Sequence, residues 1–195
     1  MNKNFLITES QEYSKKALEL YAKNGNLYLE KGIKDELVDI LVVRLGNYLD
    51  SNFLDRFTRL SYIISPTTGL THIDNDYCLS RNIKIISLNN IKNEIKSVSS
   101  TAELTLGLII AITRRIPQAV NDVNNGNWNR DKFKSFQLKD KQLGIIGYGR
   151  IGQMVGSYAE ALGMKVGYFD KNKNLKIKNK TTSATKMTLS KILAT

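Results

Sequence analysis

The sequence predicts an α/β protein built on parallel sheets. Two observations carry this. Across the first ninety residues, short apolar runs alternate with stretches of helical periodicity, the pattern of strands joined by helical crossovers. Further along, the apolar run Leu143-Gly144-Ile145-Ile146 enters Gly147-Tyr148-Gly149-Arg150-Ile151-Gly152. An amphipathic stretch follows over 153–162, and a second apolar run, 165–169, ends on Asp170.

Taken in order, residues 11–22 read as a helix with Leu18 and Tyr21 on one side. Residues 38–45, rich in Val, Ile and Leu, read as a buried strand. Residues 50–57 fit a short helix with Leu54 and Phe57 inward, and 60–65 a second strand. Pro66-Thr67-Thr68-Gly69 breaks that strand into a turn. One or two helical turns over 74–81 precede a third strand over 84–88. The polar stretch 89–98 sets a domain boundary, dividing 1–97 from 98–195. Ser99-Ser100-Thr101-Ala102-Glu103 offers hydroxyl caps and an early acid, so a helix starts there and runs to about Arg115. Pro117 bends it or begins a second one. Leu104, Leu108 and Ala111 lie at helical spacing, which predicts that most of this apolar face is core. Residues 124–128 form a turn carrying the only tryptophan, Trp128. After Asp170, residues 186–188 fit a short third strand of the second domain, and Thr188 an N-cap to a closing helix.

The glycine motif defines a chemistry. Gly147 makes the tight turn out of the strand, Gly149 lets backbone approach a pyrophosphate, and Gly152 lets the helix pack closely on its strand. A helix opening near Gly149 presents unpaired N–H groups and the positive end of its dipole to phosphates. Asp170, about twenty positions on, is placed to accept hydrogen bonds from ribose hydroxyls, and its charge opposes a 2′-phosphate; this favours NAD over NADP. Lys171, Lys173, Lys176, Lys178 and Lys180 follow closely. They read as a solvated surface loop, with accommodation of a 2′-phosphate the alternative.

Composition narrows the partners. The net charge of +11 raises nucleic acid and anionic membranes. The lysines are interspersed with asparagine rather than gathered on one face, and there is no RNA-binding aromatic motif or zinc-finger spacing, so neither nucleic acid nor metal is expected. An anionic cofactor and substrate suit the charge. Cys78 is the only cysteine, which excludes an internal disulfide and fits a reducing compartment; its thiol reads as a small buried hydrophobe. Residues 1–10 carry no leader-like apolar core, and the apolar stretch 106–112 is too short to span a bilayer. No membrane partner and a cytoplasmic location are expected.

With these elements in order, the chain resembles the D-isomer-specific 2-hydroxyacid dehydrogenases, which include the D-3-phosphoglycerate dehydrogenases. The stretches that carry the likeness are 64–74, which closes on Ile73-Asp74; Ser100-Thr101-Ala102-Glu103-Leu104-Thr105 with Arg114-Arg115-Ile116-Pro117; Gly126-Asn127-Trp128; and 138–170. The resemblance implies a flavodoxin-like substrate-side domain followed by the first half of a Rossmann NAD-binding domain. It implies backbone N–H groups of Thr68 and Gly69 at a substrate carboxylate, with Thr67 standing where many members have glycine. Thr105 is then near the nicotinamide end of the cofactor, N–H groups of Arg150 and Ile151 at the pyrophosphate, and Asp170 at the adenosine ribose. The activity implied is hydride transfer between nicotinamide and C2 of a small, sometimes phosphorylated, 2-hydroxy or 2-keto acid, by a homodimer formed through roughly 100–128.

The family's catalytic arginine, carboxylate and histidine lie beyond the matched stretch, so no catalytic residue is expected in this chain. His72, its only histidine, does not match the catalytic one and reads as a surface or turn-stabilising residue. A truncated form or gene fragment of a longer enzyme is therefore expected. The alternative is a non-catalytic NAD-binding sensor or interaction module on the same scaffold.

Overall fold

The computed structural model describes residues 2–91, 93–177 and 182–194. The chain divides into two compact units, Met1–Ile95 and Lys96–Thr195.

The first unit is a five-stranded parallel sheet: β1 (Lys3–Ile7), β2 (Gly25–Leu29), β3 (Ile40–Val42), β4 (Tyr62–Ser65) and β5 (Lys84–Ser87), in the order β2-β1-β3-β4-β5. This is the flavodoxin-like order. Strand alternation sends Phe5, Ile7 and Val42 to one face, where Tyr13, Leu18 and Tyr21 cover them from the side of α1 (Lys15–Asn24). Leu6, Leu41, Val43 and Ile63 point to the other face and pack with Leu49, Leu54, Phe57, Ile73 and Cys78. Helices α2 (Ser51–Leu54) and α3 (Asn75–Ser80) on that side open with Asp50 and Asp74. Each aspartate accepts a bond from the backbone N–H three residues on, at 2.9 Å.

Strands β1 and β2 lie outside the segments assigned from sequence. β2 starts directly at the end of α1 with no loop between, and Gly25 makes this possible: a Cβ there would sit 2.3 Å from the Lys3 carbonyl oxygen. A helix that runs into a strand without punctuation hides the strand from a pattern search. At the start of β3, buried Asp39 accepts from the Asn4 N–H at 2.9 Å and from Arg59 at 3.0 Å, with Lys3 at 3.6 Å. Burial alone would raise its pKa, but the Asn4 amide and the two cations outweigh it and hold the carboxyl below its ordinary value.

In the second unit, α4 (Ser100–Thr113) and α5 (Ile116–Asn124) precede a three-stranded parallel sheet, β6 (Gln142–Ile146), β7 (Lys165–Phe169) and β8 (Thr185–Lys186), in sequential order. Helix α6 (Arg150–Ala161) crosses from β6 to β7, and α7 (Leu189–Leu193) closes the unit, capped by the Thr188 hydroxyl. The core is small: Tyr148, Ala159, Met164, Val166 and Tyr168, with the two tyrosine rings stacked 4.1 Å apart. Gly144 and Gly167 are register partners on the sheet, and a Cβ at either would come within 2.7 Å of Ile192 or Met187 respectively. Ile192 of the closing helix and Met187 just before it can lie against the strands because those two side chains are missing.

Two expectations fail in α4. Leu104 and Leu108 are 64% and 53% exposed, so the apolar face is not core, and Ala102 is the buried residue of this helix. Periodicity tells which residues share a face but not what covers it. Ser99 is the N-cap residue, yet its hydroxyl bonds the Glu103 carboxylate rather than a backbone N–H. The expected break at the proline is present: Arg115 takes a left-handed conformation (φ 54°) and α5 begins behind it, with Pro117 in its first turn. Residues Glu94–Thr113 are long and apolar enough to cross a membrane by length and composition alone, at 20 residues and mean hydropathy 1.4. The continuous α-helix within them is 14 residues, about 21 Å long, against roughly 30 Å of hydrocarbon.

Candidate functional site: a glycine corner and a substrate-side turn

The glycine motif sits at the corner between β6 and α6. Gly147 has φ +93°, a conformation that side chains disfavour, and its N–H continues the ladder to the Phe169 carbonyl at 2.8 Å. A Cβ on Gly152 would lie 2.2 Å from the Gly147 carbonyl oxygen, so only glycine lets the helix sit this close to its strand. Gly149 is the N-cap of α6, and a Cβ there would meet nothing within 4 Å. Among the described residues, no acceptor faces the N–H groups of Gly149, Arg150, Ile151 or Gly152. These are the free donors of a helix N-terminus, where an anion is favoured.

Asp170 completes the corner. Its carboxylate accepts from the Tyr148 N–H and the Asn172 N–H, both at 2.8 Å. Each oxygen keeps a further lone pair for a ligand hydroxyl. Tyr148 itself is fully buried, wedged under the turn, and Gly156 leaves room for its ring, since a Cβ there would come within 2.7 Å of the phenol oxygen. A groove of about 460 Å³ beside the corner is lined by Gly149, Arg150, Gln153, Tyr158, Leu175 and Lys176. Of the lysines after Asp170, Lys171 and Lys173 are exposed and Lys176 borders this groove. Lys178 and Lys180 lie outside the described residues. The Arg150 side chain turns away from the phosphate-facing amides and donates to the Val98 carbonyl. Thr105 is half-buried, with its hydroxyl donating to the Thr101 carbonyl one turn earlier at 2.8 Å.

The substrate-side turn lies after β4 in the first unit. Three of its carbonyls are tied down: Thr67 accepts from the Leu88 N–H at 3.1 Å, Thr68 from the Asn89 side chain at 2.6 Å, and Gly69 from the Thr67 hydroxyl at 2.7 Å. The exposed N–H groups of Thr68 and Gly69 have no acceptor among the described residues. His72 is buried rather than on the surface and stands at the foot of this turn, with Nε2 3.3 Å from the Ser65 hydroxyl. Sequence reasoning missed Ser65 and Asn89 as supports. The hydroxyl-hydroxyl-imidazole spacing of Ser65, Thr67 and His72 around a Pro-Thr-Thr-Gly turn was the available signal. Cys78 is buried, and burial, with Asp74 nearby, pushes its thiol up to about 11, so it stays protonated and is no nucleophile.

A glycine-lined strand-to-helix corner with free amides and a closing carboxylate, in a chain that also carries a flavodoxin-like unit, defines a dinucleotide-binding α/β protein. Residues 106–195 match the family described as "D-isomer specific 2-hydroxyacid dehydrogenase, NAD binding domain". D-3-phosphoglycerate dehydrogenase of Methanocaldococcus jannaschii is 34% identical over 161 residues, 79% of this chain and 30% of that protein. Hydroxypyruvate reductase of Thermotoga maritima is 34% identical over 143 residues, 70% of this chain and 45% of the relative. Among solved structures, D-lactate dehydrogenase from Aquifex aeolicus, complexed with NAD and lactic acid, superposes with a TM-score of 0.81 at 27% identity, covering 98% of this chain and 57% of the other. Over residues 106–195 the chain matches the NAD-binding domain of the D-isomer-specific 2-hydroxyacid dehydrogenases, whose members are NAD-dependent oxidoreductases acting on CH–OH groups. The matched domain is an NAD-binding one, and the corner fits NAD through the close Gly152 packing and the placement of Asp170. The chain spans less than half the length of these curated relatives.

Proposed function

We propose that this chain carries the substrate-side turn and the NAD corner of a D-2-hydroxyacid dehydrogenase acting on a small 2-hydroxy or 2-keto acid. The observation that supports this most directly is the Asp170 carboxylate braced on the Tyr148 N–H beside four free amides. In this reading Arg150 and Ile151 amides hold the pyrophosphate and Asp170 the adenosine ribose, with Thr105 near the nicotinamide end. The Thr68 and Gly69 amides receive the substrate carboxylate. Bound NAD supplies hydride chemistry at its nicotinamide ring. The described residues bind and orient. No proton-transfer role is assigned to His72, whose Nε2 is engaged with Ser65.

The exposed apolar stripe of Leu104, Leu108 and Ile112 on α4, continued by Ile116 and Val120 on α5, supports self-association through these helices. The buried lone thiol suits a reducing, cytoplasmic setting.

The test is NADH titration of this chain beside a form extended to the length of its relatives, followed by turnover of a panel of 2-keto acids. Binding by both and turnover by the extended form is the expected result. Tight NADH binding and self-association without turnover by either would replace the dehydrogenase reading with that of a nucleotide-binding interaction module.

A further inference from the structure

The turn after β4 is held by a one-way chain of hydrogen bonds that begins at His72. The Thr67 hydroxyl has one hydrogen, and it goes to the Gly69 carbonyl at 2.7 Å. Thr67 Oγ1 must therefore accept from Ser65, 2.8 Å away. That uses the Ser65 hydrogen, so Ser65 Oγ in turn accepts from His72 Nε2 at 3.3 Å. The donor at the head of the chain is the imidazole N–H, which fixes the Nε2–H tautomer. Nδ1 is then a bare lone pair, and it is buried without a partner among the described residues. His72 is 7% exposed and Ser65 1% exposed, so water does not compete for these bonds. Burial keeps the ring pKa below its ordinary value against the upward pull of Glu9, which is consistent with a neutral ring.

Deepening the proposed reading of Thr68 and Gly69 as carboxylate ligands, on which it rests, we propose that His72 is a positioning residue for that turn. Acting through Ser65 and Thr67, it fixes the Gly69 carbonyl and thereby the direction of the two free amides. With Leu88 and Asn89 holding the carbonyls of Thr67 and Thr68, the relay supplies the last tie the turn needs. It also accounts for threonine at 67, where glycine would have no hydroxyl to carry the chain forward. The two unusual residues of the loop form one device.

His72 is the only histidine, so its ring nitrogens are observable without ambiguity in the full chain labelled with ¹⁵N-histidine. The expected spectrum has a protonated Nε2 and an unprotonated Nδ1 at neutral pH. The ligand probe is oxalate, read at the Thr68 and Gly69 amide resonances. His72→Leu should displace those two resonances in the free chain and weaken oxalate binding about tenfold, the scale of one lost hydrogen bond. His72→Gln, whose amide can donate to Ser65, should restore binding to within about twofold. Ser65→Ala breaks the chain one link later with the ring in place. It should reproduce the His72→Leu loss, which covers the case in which His72→Leu does not fold. An Nδ1–H tautomer overturns the relay, as do undisturbed amides and undiminished oxalate affinity in either loss variant. Failure of oxalate to move the Thr68 and Gly69 amides of the unmodified chain overturns the carboxylate reading instead, whatever the tautomer.

Discussion

The two units solve the same architectural problem with different resources. In the first, both faces of a five-stranded sheet are covered, and residues such as Ile7, Leu41, Val42 and Ile63 have no exposure at all. In the second, three strands share a five-residue core, and Ile146 at the end of β6 is 60% exposed. Yet the second unit holds the sharper chemical signature. Its site is made of backbone, and what it demands of side chains is mostly their absence at Gly147, Gly149 and Gly152. Cohesion and recognition are thus written in different alphabets: apolar periodicity for one, a few glycines and one acid for the other.

The largest effect that would sharpen this contrast is Gly152→Val. A side chain driven against the Gly147 carbonyl cannot be absorbed by rotating a flexible neighbour. We expect NADH binding to fall below detection in a fluorescence titration, while amide exchange in β3 and β4 of the first unit stays unchanged. Next is a matched pair of core truncations. Val42→Ala in the first unit should cost more than Val166→Ala in the thin core, by about 1 kcal/mol or more, both by urea denaturation resolved with hydrogen exchange. Equal costs would dissolve the comparison. Third, Asp170→Asn retains an acceptor for the Tyr148 N–H but loses its charge, and NADH affinity should drop about tenfold. The mildest effect concerns pH. The Asp39 carboxyl is held below its ordinary value in the folded first unit, so the unfolded chain binds the proton more readily. Its stabilisation is present above the ordinary carboxylate pKa, near 4, and is lost as pH falls through the lower folded value. Acid titration followed by circular dichroism should show this loss, and Asp39→Asn should remove that part of the slope.

Much of this was legible beforehand, unevenly and for physical reasons. The glycine corner was readable because each of its residues answers a local steric demand that sequence spacing preserves. Leu54 and Phe57 were readable as interior because they share a face at helical spacing, and Cys78 because a lone thiol behaves as a small hydrophobe. β2 was not, because Gly25 joins it to a helix without a loop. The α4 stripe was misjudged because an amphipathic pattern is the same whether its apolar side meets a core or is left open. The supports of the substrate-side turn, Ser65 and Asn89, were hidden because bonds to a turn's hydroxyl and carbonyl depend on where strands end in space.

The bond from the Tyr148 amide to Asp170 binds selectivity and scaffolding into one residue. Any drift toward a phosphorylated ribose would have to discard this negative charge while keeping an acceptor that braces the bend. Such a change is therefore confined to the few side chains, asparagine among them, that can still receive that amide, or has to arrive with a new partner for it.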